Sequence, residues 1–135
     1  MKATLHRLFV YGSLRRGEEN HDIWFGSGAT HVTDGRIRGA ELVHLGAYCC
    51  IVPTDDLGRT VMGEIYDVVP EVFSGIEVME AEAGYARQPV HVHPVSDGEE
   101  RPSIAAEAYF YSKPQRVARR PRVESGDWTQ RNRPK

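Results

Sequence analysis

The first candidate for chemistry in this chain is a stretch of backbone. Leu8-Phe9-Val10-Tyr11 is an apolar run suited to a buried strand, and it gives way at once to Gly12-Ser13-Leu14, with Gly17 and Asn20 downstream. A strand that ends in Gly-Ser leaves N–H groups without ladder partners, and glycine lets the backbone turn sharply and approach a ligand. Consecutive N–H groups facing one space form a site for a carboxylate or phosphate. A tight turn with no ligand accounts for the same residues. The phosphate-binding pattern G-x-x-x-x-G-K-[ST] is excluded, because Glu18-Glu19 stand where it needs other residues. Two side-chain groupings are weaker. Cys49 and Cys50 are adjacent, so on a strand they point to opposite faces and are poorly placed to pair. With no other cysteine, a disulfide framework is excluded and two reduced thiols are expected, a Cys–His nucleophile being the alternative. His91 and His93 alternate on one strand face but lack a third ligand at metal-site spacing.

The elements that would position these residues follow from pattern. Leu5–Tyr11 reads as the first strand, and Gly17–Phe25 as a loop or short helix anchored by Ile23, Trp24 and Phe25. Ala29–Val32, Arg36–Ala40 and Glu41–Leu45 read as short strands, with turns at Asp34-Gly35 and Gly46. Tyr48–Val52 is a strand ending at Pro53, and Thr60–Val69 another beyond the turn Asp55-Asp56-Leu57-Gly58. Pro70 suits the first turn of a helix, and Val72, Phe73, Ile76, Met79 and Glu80 continue at roughly helical spacing until Gly84 stops it. Ser74-Gly75 weakens its centre. Tyr85–Val95 and Ala105–Ser112 are the last strands, joined by the polar loop Ser96–Pro102. Many short strands and one main helix predict an α+β fold built on a small, closed or nearly closed sheet.

Four groups of residues in this order resemble the γ-glutamylcyclotransferase-like family, which includes the γ-glutamylamine cyclotransferases and a branch of small bacterial proteins. They are Tyr11-Gly12-Ser13-Leu14 with Gly17 and Asn20, the helical Glu80, Gly84-Tyr85-Ala86-Arg87, and Glu124-Ser125-Gly126-Asp127-Trp128. The resemblance spans roughly residues 5 to 128. It implies a small mixed β-barrel with a pocket at the end of the first strand, and a cofactor-free enzyme acting on a small γ-glutamyl amine, amide or peptide. It also implies that Glu80 is the catalytic carboxylate, and that Tyr11, Gly12, Ser13, Leu14, Tyr85 and Tyr111 contact substrate. The family's Leu-Asp-x-x-Glu is here Ile76-Glu77-Val78-Met79-Glu80, and Ala81 stands where Gly is common; Glu82 becomes the alternative base. Asn20 is expected to hold the loop rather than touch substrate. Arg87 is a carboxylate partner or a surface residue, and Asp127-Trp128 a capping group and packing anchor. A non-catalytic module binding small carboxylates on the same fold is the competing reading.

Composition bounds the rest. The 135 residues fit one domain, expected over 1–128 with a flexible tail at 129–135. Apolar content of 40% and charged content of 27% are ordinary for a globular chain. No apolar run approaches the ~20 residues of a membrane span. Met1–Arg7 lacks a signal-peptide apolar region, so a cytoplasmic protein is expected. The net charge of −2 hides an asymmetry: residues 1–112 hold 9 Lys/Arg against 17 Asp/Glu, while residues 113–135 hold 8 against 2. The basic stretch Lys113–Arg122 is expected to be a solvated arm lying against the chain's own acidic body, a patch for an anionic partner being the alternative. It lacks the interleaved aromatics of a base-stacking surface, so no nucleic-acid partner is expected.

Overall fold

The computed structural model describes residues 4–18, 20–95 and 101–130. Among the described residues, seven strands are formed: β1 (His6–Val10), β2 (Ala29–Arg38), β3 (Ala40–His44), β4 (Cys49–Pro53), β5 (Thr60–Val68), β6 (Tyr85–Pro94) and β7 (Ile104–Tyr111). Two helices accompany them, α1 (His21–Phe25) and α2 (Pro70–Glu82). Strands β1, β5, β2, β6 and β7 close into a barrel in that order, and β3–β4 form a separate hairpin. All barrel pairings are antiparallel except the closure of β1 on β7, where Leu8 meets Glu107 in parallel. This is the α+β barrel with one main helix that the sequence predicts. No helix among the described residues is long and apolar enough to cross a membrane.

The barrel interior is filled from alternate residues of its strands: Phe9, Ile37, Val61, Ile65, Val92 and Ala108 are buried together with Trp128. The other face of β1 and β5 carries Leu8, Val10, Tyr66 and Val68, which pack on Phe73 and Ile76 of α2 and on Phe25 of α1. Thus β1 is buried on both faces, which is why its sequence is a continuous apolar run rather than an alternation. A Cβ added at Gly75 would come within 3.7 Å of the Trp24 ring, so the weak centre of α2 faces α1.

Four expectations are corrected. Asp34-Gly35 is not a turn; both residues lie inside β2, paired with Glu64 and Gly63 of β5. Glycine is required at 35 because a Cβ there would meet Val92 at 2.5 Å and the His93 carbonyl oxygen at 2.9 Å. The chain reverses instead at Gly39, with φ +76°. Ile23 is no anchor: it is 74% exposed, and Phe25 alone of that trio is buried. The basic stretch is no solvated arm. Val117 is buried against Val43, Cys50 and Val52, the segment hydrogen-bonds along β3 through Pro121 O and Val123 N, and Arg122 pairs with Glu41 at 2.6 Å. Residues 129 and 130, expected in the tail, complete a 3₁₀ turn that starts at the buried Trp128. The rest of the tail, and residues 96–100 of the polar loop, lie outside the described residues.

Candidate active site

The site begins where β1 ends. From Gly12 the chain leaves the barrel in tight turns closed by Arg15 N–H to Gly12 O and Asn20 N–H to Ser13 O, both 3.0 Å. The Asn20 side-chain amide donates to Ser13 Oγ at 3.0 Å, so Asn20 holds the loop as expected, and His21 Nδ1–H donates to Leu14 O at 2.8 Å. A buried ionic network fixes the loop from behind. The Arg15 guanidinium reaches Glu64 at 3.0 Å and Asp127 at 2.8 Å, while Glu64 also accepts the Arg16 N–H and the Tyr66 hydroxyl, each at 2.8 Å. Asp127 caps the final 3₁₀ turn by accepting from Thr129 N–H at 3.0 Å. The closing motif therefore reaches the site through Arg15. Among the described residues, no hydrogen bond takes the N–H of Gly12, Ser13 or Leu14.

That loop forms one wall of a cavity of about 320 Å³, opposite Met79, Glu80 and Ala83 from the end of α2. Helical period explains the placement. Phe73, Ile76, Glu77 and Glu80 recur at i, i+3, i+4 and i+7, so Glu80 continues the stripe that packs on the barrel. Glu82, two residues on, is exposed. Phe9, Val10, Tyr11, Tyr48, Cys49, Tyr85 and Tyr109 complete the lining. No group among the described residues hydrogen-bonds the Glu80 carboxyl. Its pKa is pushed up to about 7, first by removal from water and then by the charge of Glu77. Glu77 in turn accepts a hydrogen bond from the Tyr109 hydroxyl, and Arg87 Nε stands 3.2 Å from it. Arg87 also pairs with Glu107 at 2.7 Å, so it belongs to the support of Glu77 rather than to the cavity lining.

The tyrosines hold the walls together. Tyr11 donates its hydroxyl to Tyr109 O and Tyr85 donates to Cys49 O, each at 2.7 Å, and burial raises the pKa of both. The second bond ties the β3–β4 hairpin to β6. Tyr111 does not line this cavity. It faces Tyr85 edge-on at 5.8 Å across the β6–β7 pair and lines a neighbouring hollow, while Tyr109 takes the place in the cavity. The signal for Tyr109 was present: it lies two residues from Tyr111 on β7, so the pleat puts both on one face. Cys49 and Cys50 pack into different clusters on opposite faces of β4, no disulfide joins them, and burial moves the Cys50 thiol to about 11. Cys49 Sγ stands so close to Gly12 that a Cβ at 12 would be 2.7 Å from it. His91 and His93 are not joined by a third ligand: no group of three His, Cys, Asp or Glu among the described residues is placed to hold a metal ion.

A small mixed barrel presents unpartnered loop N–H groups and one unpartnered carboxyl to a single cavity, an arrangement whose chemistry is able to receive an acid and exchange a proton. The chain belongs to the γ-glutamyl cyclotransferase, AIG2-like family, whose model matches residues 8–130. It is 32% identical over 128 residues to the γ-glutamylcyclotransferase family protein YtfP of Escherichia coli, covering 94% of this chain and 99% of that one. It is 30% identical over 133 residues to a putative γ-glutamylcyclotransferase of Vibrio cholerae, covering 93% and 97%. The crystal structure of an AIG2-like protein from Mus musculus shares the fold with a TM-score of 0.74 at 24% identity, over 89% of this chain and 86% of that one.

Proposed function

We propose that this chain is a γ-glutamylcyclotransferase-type enzyme that releases 5-oxoproline from a small γ-glutamyl amine, amide or peptide, with Glu80 as general acid and base. The observation that carries the reading is the Glu80 carboxyl, unpartnered and held near pH 7, in the same cavity as the loop 12–14. The substrate's α-carboxylate would be received by the N–H groups of Gly12, Ser13 and Leu14. Its α-ammonium would then lie towards Glu80. The α-nitrogen attacks the γ-carbonyl of the same molecule, a C–N bond forms, and the bond to the leaving nitrogen breaks. Two protons pass from the α-nitrogen to the leaving nitrogen, and one carboxyl can carry both in turn.

Folding the substrate so that its own nitrogen reaches its own carbonyl can supply up to ~7–11 kcal/mol of the barrier. Proton transfer by a positioned carboxyl adds about 10²–10⁴-fold, and works best with a pKa near the operating pH. The elevation of Glu80 by burial fits that need. Tyr11 and Tyr85 contribute ring surface and hydroxyl lone pairs, because their hydroxyl protons are already given to main-chain carbonyls. The test is 5-oxoproline release from a panel of γ-glutamyl compounds by the parent and by Glu80→Gln. Turnover in the parent with a fall of ~10²–10⁴ in kcat in the variant supports the reading. No turnover on any compound, with ligand still bound, would favour the binding module; turnover unchanged in Glu80→Gln would remove Glu80 from the mechanism.

A further inference from the structure

Among the described residues Glu64 is the one charged side chain that is buried, at 3% exposure, and the chemistry proposed above makes no use of it. It stands on β5 opposite Val10, the last residue of β1, so it lies beside the point where that strand becomes the loop. The two strands are pressed together there: a Cβ at the neighbouring Gly63 would lie 2.2 Å from Val10 O. Three donors converge on the Glu64 carboxylate. Two of them come from the loop, Arg15 Nε at 3.0 Å and the Arg16 N–H at 2.8 Å, and the Tyr66 hydroxyl is the third. Arg15 is held on its other side by Asp127, whose segment is itself fixed to β5 by Met62 N–H to Gly126 O at 2.8 Å. The loop's N–H groups fall into two sets. Those of Arg15, Arg16, Glu18, Asn20 and His21 are bonded within the protein, while among the described residues those of Gly12, Ser13 and Leu14 are left for the cavity that these residues line.

We infer that Glu64 is a positioning residue for carboxylate recognition: through the Arg15 guanidinium and the Arg16 N–H it holds the turn in which the N–H groups of Gly12, Ser13 and Leu14 face the cavity. The inference rests on the cyclotransferase reading, in which that loop receives the substrate's α-carboxylate. Stability alone does not call for a carboxylate at this position, because apolar side chains of similar volume in place of a buried ion pair are often neutral or stabilising. An apolar residue, however, cannot accept a main-chain N–H and a guanidinium at once. Without Glu64 the Arg16 N–H and Arg15 lose their shared acceptor, and the peptide groups of the turn are released from the observed arrangement. Rotating those peptides tilts the neighbouring N–H groups away from a bound carboxylate, and a hydrogen bond weakens steeply as its angle closes. The loss falls on the carboxylate end of the site. Glu80 and Tyr85, on the other walls of the cavity, share no hydrogen bond with Glu64 among the described residues.

The experiment titrates the full chain with 5-oxoproline and with 2-pyrrolidinone, the same ring with and without a carboxylate, and follows binding by NMR. The parent is expected to bind 5-oxoproline at least about tenfold more tightly, the size of one hydrogen bond to a charged group. Glu64→Gln keeps the size of the side chain but has no charge and one acceptor oxygen for three donors. In that variant the ratio falls towards one while the affinity for 2-pyrrolidinone stays at the parent value, a separation that general loosening of the fold does not produce. Asp127→Asn leaves Glu64 on the Arg16 N–H and loosens Arg15 alone, so its ratio is expected to lie between the two; it decides the matter if Glu64→Gln does not fold. A ratio kept in every variant that folds, or lost only together with 2-pyrrolidinone binding, overturns the positioning role. Equal affinity of the parent for the two probes, or binding of neither, overturns the carboxylate loop and the role built on it. If the ratios behave as expected but the parent releases no 5-oxoproline from any γ-glutamyl compound, the cyclotransferase reading falls and Glu64 keeps its role in a module that binds carboxylates.

Discussion

Replacing Glu80 by Gln should make the protein more stable at neutral pH while removing its proposed chemistry. The carboxyl titrates at 4.5 when unperturbed and at about 7 in the folded chain, with burial the larger cause and Glu77 the second. Because the folded value is the higher one, the native state holds the proton more tightly. Unfolding between these values releases a proton, so stability is lost as pH rises from about 4.5 through about 7 and is flat beyond. At ~1.4 kcal/mol per pH unit the full interval would cost ~3.4 kcal/mol. The open cavity admits water that screens part of it, which leaves ~1–2 kcal/mol as the working figure. Gln cannot titrate and keeps the size of the side chain. Urea unfolding of parent and variant at steps from pH 4.5 to 8 should show the two curves separating by that amount in favour of Gln, most steeply near pH 6. A difference that stays constant across the range would mean that the carboxyl is not raised, and the argument for Glu80 as a base tuned to neutral pH would fall with it.

Other expectations follow from particular contacts. Glu77→Gln removes the charge that helps to raise Glu80 while leaving an acceptor for Tyr109, so the acidic limb of the kcat/KM profile should move to lower pH; an unmoved limb would exclude Glu77 from the tuning. Arg15→Met leaves Glu64 and Asp127 facing each other without their cation, and should cost ~3–5 kcal/mol in chemical denaturation, against under ~1 kcal/mol for the solvated Arg7→Met. Gly12→Val should weaken ligand binding at least tenfold and cost ~1–3 kcal/mol of stability, because the new Cβ meets Cys49 Sγ at 2.7 Å; unchanged binding by calorimetry would show that the loop takes no part in recognition.

How much of this was legible beforehand depends on the range of each interaction. The alternation and turn residues of the chain determine most strands, the start of α2 at Pro70 and its end before Gly84, because these depend on neighbours in sequence. The apolar run Leu8–Tyr11 followed by Gly12-Ser13 likewise marks the strand end that becomes the cavity wall. Asp34-Gly35 misled because a glycine needed for close approach to β6 looks, in sequence, like one needed for a turn. Only the barrel distinguishes them.

The site divides in the same way. Glu80 and Glu82 are equivalent in composition, and it is the stripe Phe73, Ile76, Glu77, Glu80, once packed on β1 and β5, that sends one inward and leaves the other in solvent. Tyr109 and Tyr111 share a face of β7, and how far along that strand the cavity reaches chose the first. The Arg15–Glu64–Asp127 network joins residues up to 112 positions apart, and the hollow beside Arg116 and Arg120 exists because Val117 is buried against the β3–β4 hairpin. Local sequence determines which groups are available and which way a strand or helix presents them. Which of them meet, and which are left unpartnered beside a cavity, is decided by burial and pairing across the whole fold, because those energies depend on neighbours that the chain brings together only when it closes.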